Sequence, residues 1–161
     1  MSERLEFLKR KHKGIQKIGS YQNVLINSGL EKTELEYLDL LDSDKVIEKV
    51  KDRFGKVERE TELINSDCIF IDSKLMRDIY LSLNENSKCY IYTDDFQYCG
   101  LFIGNAKRCF EHALDVAKSD YQHTCFLLDV NFKYSFLINY YDESHNDEPN
   151  TYDIQLWKSR A

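Results

Sequence analysis

Proline is almost missing from this chain: it occurs once, at Pro149. There is also no proline-, glycine- or serine-rich stretch, internal repeat or low-complexity tract, so nothing marks a linker, and residues 1–161 are expected to fold as one domain. No apolar run approaches the ~20 residues a membrane-spanning helix needs. The N-terminus lacks an apolar signal region ahead of a cleavage site, and the expected location is the cytoplasm. Five cysteines, Cys68, Cys89, Cys99, Cys109 and Cys125, are an odd number without a CxxC pair, which argues against a disulfide framework and suits a reducing compartment. Gly100 and Gly104 belong to no GxGxxG or Walker pattern, which removes the usual sequence argument for a nucleotide site. No cofactor is expected.

What the chain does contain is apolar and aromatic. Hydrophobic residues make up 42% and aromatic residues 13% of the 161, enough for a folded globule with one core. Eleven tyrosines against one tryptophan point to many positions with one greasy side and one wet end. The net charge of −6 is unevenly spread: residues 1–20 carry six Lys or Arg against two acids, leaving −10 for the remainder. Binding to nucleic acid or an anionic membrane through the main body is disfavoured, because phosphate neutralisation needs a positive surface. Basic protein partners are favoured.

From Ser2 to Ile18, Leu5, Leu8, Ile15 and Ile18 recur near helical spacing among Lys9, Arg10, Lys11 and Lys13, predicting a basic amphipathic helix that packs one stripe on the domain. Thr33 and Glu36 resemble a capping box opening a short helix through Leu41, and Ser43 is the expected cap of a second helix carrying Val46, Ile47, Val50 and Phe54. The alternation over Val57–Leu63 fits either an exposed strand or a charged helix. Cys68–Ile71 reads as a buried strand and Ser73 as the cap of a helix with Leu75, Met76, Ile79, Tyr80 and Leu83. A hairpin follows, Lys88–Thr93 and Phe96–Ile103 joined at Asp94-Asp95, then a helix from Asn105 to Lys118 burying Cys109, Phe110, Ala113, Leu114 and Ala117. Thr124–Val130, Phe136–Tyr141 and Tyr152–Trp157 read as strands, the last pointing Tyr152, Ile154 and Leu156 inward. The expectation is an α+β domain: an antiparallel or mixed sheet at 67–157 with helices packed on one face, and a helical N-terminal region at 1–55.

Chemistry-bearing residues have plain structural readings. Cys109, His112, His123 and Cys125 could be imagined around zinc, but their spacing is unusual for a zinc site and buried thiols account for them better; no metal is expected. A Cys-His nucleophile pair would need an exposed thiolate beside its base, which sequence proximity does not supply. Asp94-Asp95 and Asp147-Glu148 fit solvated turns. Tyr90, Tyr92, Phe96 and Tyr98 could stack bases, yet no Lys or Arg follows Lys88 before Ile103, so core or protein-contact roles suit them better.

The segment Asp142–Asp153 holds five carboxylates and no Lys or Arg between two aromatic-rich strands. Turn chemistry and solubility explain such a loop in part. Tyr140, Tyr141, Tyr152 and Trp157 beside Asp142, Glu143, Asp147, Glu148 and Asp153 make the stronger case for a partner-binding surface, with aromatic anchors inside a charged rim. In its small size, acidity and aromatic content, and in the residues Tyr140-Tyr141, Asp142–Glu148 and Tyr152–Trp157, the chain resembles the immunity proteins of bacterial contact-dependent inhibition and related polymorphic toxin systems. The resemblance implies a non-catalytic inhibitor that neutralises a cognate toxin domain, expected to be a basic nuclease, by stoichiometric blocking. A small enzyme with a Cys/His or carboxylate site, or an acidic adaptor for a basic host protein, stays open as an alternative, and the oligomeric state is undetermined.

Overall fold

The computed structural model describes residues 2–65, 67–143 and 147–159. Among these, the elements run α1 (Glu3–Asn27), a 3₁₀ turn (Lys32–Glu34), β1 (Glu36–Leu38), α2 (Leu40–Phe54), β2 (Glu60–Asn65), a second 3₁₀ turn (Phe70–Asp72), α3 (Lys74–Ser82), β3 (Lys88–Tyr92), α4 (Phe96–Cys99), β4 (Leu101–Asn105), α5 (Ala106–Ser119), β5 (Thr124–Asp129), β6 (Tyr134–Tyr141) and β7 (Thr151–Lys158). The strands form one seven-stranded sheet in the order β1-β4-β3-β5-β6-β7-β2, every neighbouring pair antiparallel. The chain is thus α+β, with an N-terminal helix and no mixed pairing among the described strands.

Alternation along the strands sets two faces. Cys89, Ile91, Cys125, Leu127, Phe136, Ile138, Tyr152, Ile154 and Leu156 share one, all fully or almost fully buried. Helix α5 lies across it because Cys109, Phe110, Ala113 and Ala117 recur at helical spacing and small alanines let the helix sit close. Phe110 meets Phe70, Tyr80, Tyr134 and Phe136 at ring distances of 5.7–6.4 Å. Helix α2 covers part of the opposite face, bringing Val50 and Phe54 beside Tyr92, Phe126 and Trp157. On that face Tyr92 stacks on Phe126 at 4.9 Å and Phe96 meets both edge-on, so the aromatic hairpin is spent on internal packing.

Several local expectations are corrected. The helix expected from Thr33 to Leu41 is absent: Glu31 and Glu34 make a capping box around a 3₁₀ turn. Arg108 grips Glu34 with two nitrogens at 3.1 and 3.2 Å, and Glu36–Leu38 then pairs with β4. Asp39, not Ser43, caps α2 by accepting from the Asp42 amide at 2.8 Å. Ser43 is buried one turn inside, donating to the Leu38 carbonyl and accepting from the Leu101 amide, a stitch between β1 and β4. Cys68 is exposed, and only Phe70 of Cys68–Ile71 enters the core, from a 3₁₀ turn. The hairpin at Asp94-Asp95 contains one helical turn, α4, whose backbone bonds begin at the Asp95 carbonyl. Ser73 precedes α3 but its side chain makes no capping bond; the Glu62 carboxylate reaches from β2 to accept from Lys74 and Leu75 instead. The segment left open at Val57–Leu63 contributes to β2, and the Asn105 cap holds, accepting from Arg108 at 3.1 Å.

Candidate interaction surface

The antiparallel order brings the C-terminal ends of β3, β6 and β2 and the N-terminal ends of β5 and β7 to one end of the sheet. Asp94, Asp95, Asp120, Asp142, Glu143, Asp147, Glu148 and Asp153 all lie in or next to those strand ends. Distant parts of the chain therefore meet at one acidic rim, to which the sequence segment Asp142–Asp153 contributes five of the eight carboxylates. Residues 144–146 of that segment lie outside the described residues.

Its inner members are not solvated turn acids. Asp95 is buried, accepting from Tyr121 Oη at 3.0 Å and pairing with Lys17 Nζ at 3.3 Å. Asp120 is buried and accepts from the amides of Gln122 and Thr124 and from the Thr124 hydroxyl. Burial raises its pKa, against those hydrogen bonds. Asp94 is half-buried, and burial first, then the charges of Asp120 and Asp95, raise its pKa. A raised folded-state pKa means the native protein holds this proton more tightly than the unfolded chain does. The contribution of Asp94 is therefore most favourable at low pH and is lost as pH rises from the ordinary carboxylate value through the raised one. Asp94→Asn is expected to increase the unfolding temperature at pH 7, with the difference from the parent shrinking toward pH 3. Thermal unfolding across pH checks this, and equal curves at pH 7 would refute it.

The nine anticipated contact residues do not form one patch. Tyr152 is corrected: it is 0% exposed, on the α5-covered face, its hydroxyl donating to the Cys68 carbonyl at 2.9 Å, because residue 152 shares the pleat of Ile154 and Leu156. Tyr140, opposite it, is half-buried, edge-on to His123 and under the Lys118 ammonium, and its hydroxyl accepts from Asn150 Nδ2 at 2.8 Å. It serves to anchor the β6–β7 loop, as does Asn150 Oδ1, which accepts from the Glu143 amide. Tyr141 points to the other face, 39% exposed, and donates to Asp153 Oδ2 at 2.7 Å while Asn139 donates to Oδ1 at 2.9 Å. Bonding to Asp153 pushes the Tyr141 phenol up to about 12. Asp142, Asp147 and Glu148 are exposed and Glu143 half-exposed, with Asp147 at φ 54° in the left-handed region that Asp tolerates in turns.

Trp157 lies opposite Ser135, six residues along β7 from Thr151, so ~20 Å separates it from the loop. It shares the face of Tyr141 and Asp153 and lines an apolar groove of about 240 Å³ with Val50, Phe54, Tyr92 and Phe126. Between groove and rim, β6, β7 and β2 present Leu137, Asn139, Asp153, Gln155 and Leu63, and the Leu63 side chain is 69% exposed. Among the described residues no helix covers this half-face, which adjoins the acidic rim. Leu63, Asn139, Gln155 and the α2 side of the groove were not picked out from sequence. The alternation in Val57–Leu63 is the signal that could have found Leu63, since its even neighbour Glu62 caps α3.

Catalytic arrangements find little geometry. Cys89, Cys99, Cys109 and Cys125 are buried, and burial raises Cys89 and Cys125 well above the ordinary thiol value and Cys99 to about 11. The His112 ring packs against Gly29 with neither nitrogen hydrogen-bonded. Among the described residues no three His, Cys, Asp or Glu side chains converge on a point that could hold a metal ion, and no helix is long and apolar enough to cross a membrane. Comparison with family models, curated proteins and solved structures finds no match for this chain.

Proposed function

We propose that this protein is a non-catalytic inhibitor of the immunity-protein kind, which binds a basic toxin domain, such as a nuclease, and blocks it stoichiometrically. The observation that carries this reading is the conjunction of the acids of the β6–β7 loop, Asp142, Glu143, Asp147 and Glu148, with a sheet face beside them that shows Tyr141 and Leu63 and ends in the apolar groove at Trp157. A nuclease needs a positive surface for its polyanionic substrate, so a rim of carboxylates can occupy the same surface. The exposed Tyr141 and Leu63 and the rim of Trp157 supply the dry contact that holds the complex. Charge would then govern encounter, and the sheet face residence time.

The test uses a toxin domain encoded beside this protein's gene. One equivalent should abolish the toxin's activity; inactivation of all the toxin by a small fraction of an equivalent would replace blocking by an enzymatic explanation. Replacing Asp142, Glu143, Asp147 and Glu148 by Asn or Gln should leave the fold intact, slow association about tenfold at low salt and flatten its salt dependence. Tyr141→Ala should chiefly hasten dissociation. Stopped-flow traces across an ionic-strength series separate the two effects, and unchanged rates in both variants would move the binding surface elsewhere.

A further inference from the structure

At the end of the sheet opposite the acidic rim, the loop after α3, the β5–β6 turn and the end of β7 enclose a cleft of about 540 Å³. That volume falls in the ~300–1,000 Å³ range of small-molecule sites. Its walls gather Lys88, Lys133 and Lys158 from three separate stretches of a chain whose net charge is −6. None of the three ammonium groups has a carboxylate within ion-pair distance among the described residues. Tyr134, 6% exposed, also lines the cleft.

Two groups oppose a simple anion here: Asp129, also in the wall, and the C-terminal carbonyls of α3. Asp129 Oδ2 already accepts from the Lys133 amide at 3.0 Å, and its carboxylate can further accept from neutral hydroxyls. Asn131 lines the same cleft. The lining thus combines three cations with hydroxyl acceptors. We propose that this cleft is a binding site for a phosphate monoester of a small polyhydroxylated molecule, the phosphate held by the three lysines, the hydroxyls by Asp129 and Asn131. The site is separate from the toxin-binding surface: the acidic rim lies at the other end of the sheet, and Tyr134 and Lys158 share the α5-covered face, opposite to that of Trp157.

Ribose 5-phosphate is a suitable probe, titrated into the isotopically labelled full chain while backbone amide resonances are followed, with ribose and inorganic phosphate in parallel. Saturable shifts confined to residues 84–88, 129–134 and 158–159 are expected from ribose 5-phosphate, weaker ones at the same amides from phosphate, and none from ribose. Lys133→Gln with Lys158→Gln, exposed substitutions that leave the core untouched, should weaken binding about tenfold or more. Tyr134→Phe is the control: its hydroxyl is buried and without a hydrogen-bond partner, so the affinity should stay as in the parent. No saturable shift from ribose 5-phosphate, or an affinity untouched by the lysine substitutions, would overturn the site. Phosphate binding as tightly as ribose 5-phosphate would overturn the hydroxyl half of the assignment.

Discussion

Phe110→Ala should cost about 3–5 kcal/mol of stability, the range for deleting a fully buried phenyl ring. Phe110 is 0% exposed and central to a ring cluster that joins the 3₁₀ turn at Phe70, α3 at Tyr80 and β6 at Tyr134 and Phe136. Its removal leaves a cavity that four rigid rings cannot collapse into, so the cost should sit at the upper end. Domains of this kind have ~5–15 kcal/mol in total. At ~2–4 °C per kcal/mol for a chain of this length, the unfolding temperature should fall by about 10 °C or more. Phe110→Leu, which keeps most of the volume, should cost clearly less. Urea and thermal unfolding of the two variants measure this; a loss under ~1 kcal/mol for the alanine would show that α5 is not the main cover of the sheet.

That α5 would play this part was legible in the sequence because its stripe repeats over four turns and begins with a side-chain cap at Asn105. The three C-terminal strands were equally legible, the first two from their aromatic-rich apolar runs and the last from the alternation of Tyr152, Ile154 and Leu156 with Asp153 and Gln155. Short elements were not. β1 is three residues whose extended form is imposed by pairing with β4, and α4 is one turn held by Phe96 packing on Tyr92 and Phe126, contacts no local pattern encodes. The acidic surface was half legible for the same reason. Asp142–Asp153 is contiguous and visible, whereas Asp94, Asp95 and Asp120 join it only through strand order. Tyr152 was placed inward by its alternation with Ile154, and that periodicity outweighs the aromatic composition that had suggested a contact role.

Gly100→Ala should be comparably damaging although it adds one methyl group, with a cost of about 3–5 kcal/mol from backbone strain and overpacking together. Gly100 ends α4 at φ 90° and ψ −163°, a conformation open to glycine alone, and an added Cβ would overlap the Leu38 carbonyl and crowd Ser43. Neither neighbour can retreat cheaply: Leu38 is in β1, and Ser43 bonds both the Leu38 carbonyl and the Leu101 amide. Gly19→Ala is the control, since nothing lies within 4 Å of its added methyl and it sits mid-helix in α1, where alanine should gain up to ~1 kcal/mol. The strain at Gly100 also bears on the candidate surface. Pushing β1 away displaces α2, which follows it directly and supplies Val50 and Phe54 to the groove around Trp157. Trp157 is the only tryptophan in the chain, so its fluorescence reports that groove alone. In Gly100→Ala, emission should shift to the red under conditions where far-ultraviolet circular dichroism still reports a folded sheet. In Gly19→Ala it should not move. An unshifted Trp157 in a destabilised Gly100→Ala would mean that the α2 side of the groove is held independently of β1, and that the apolar end of the half-sheet is more rigid than its covering helix implies.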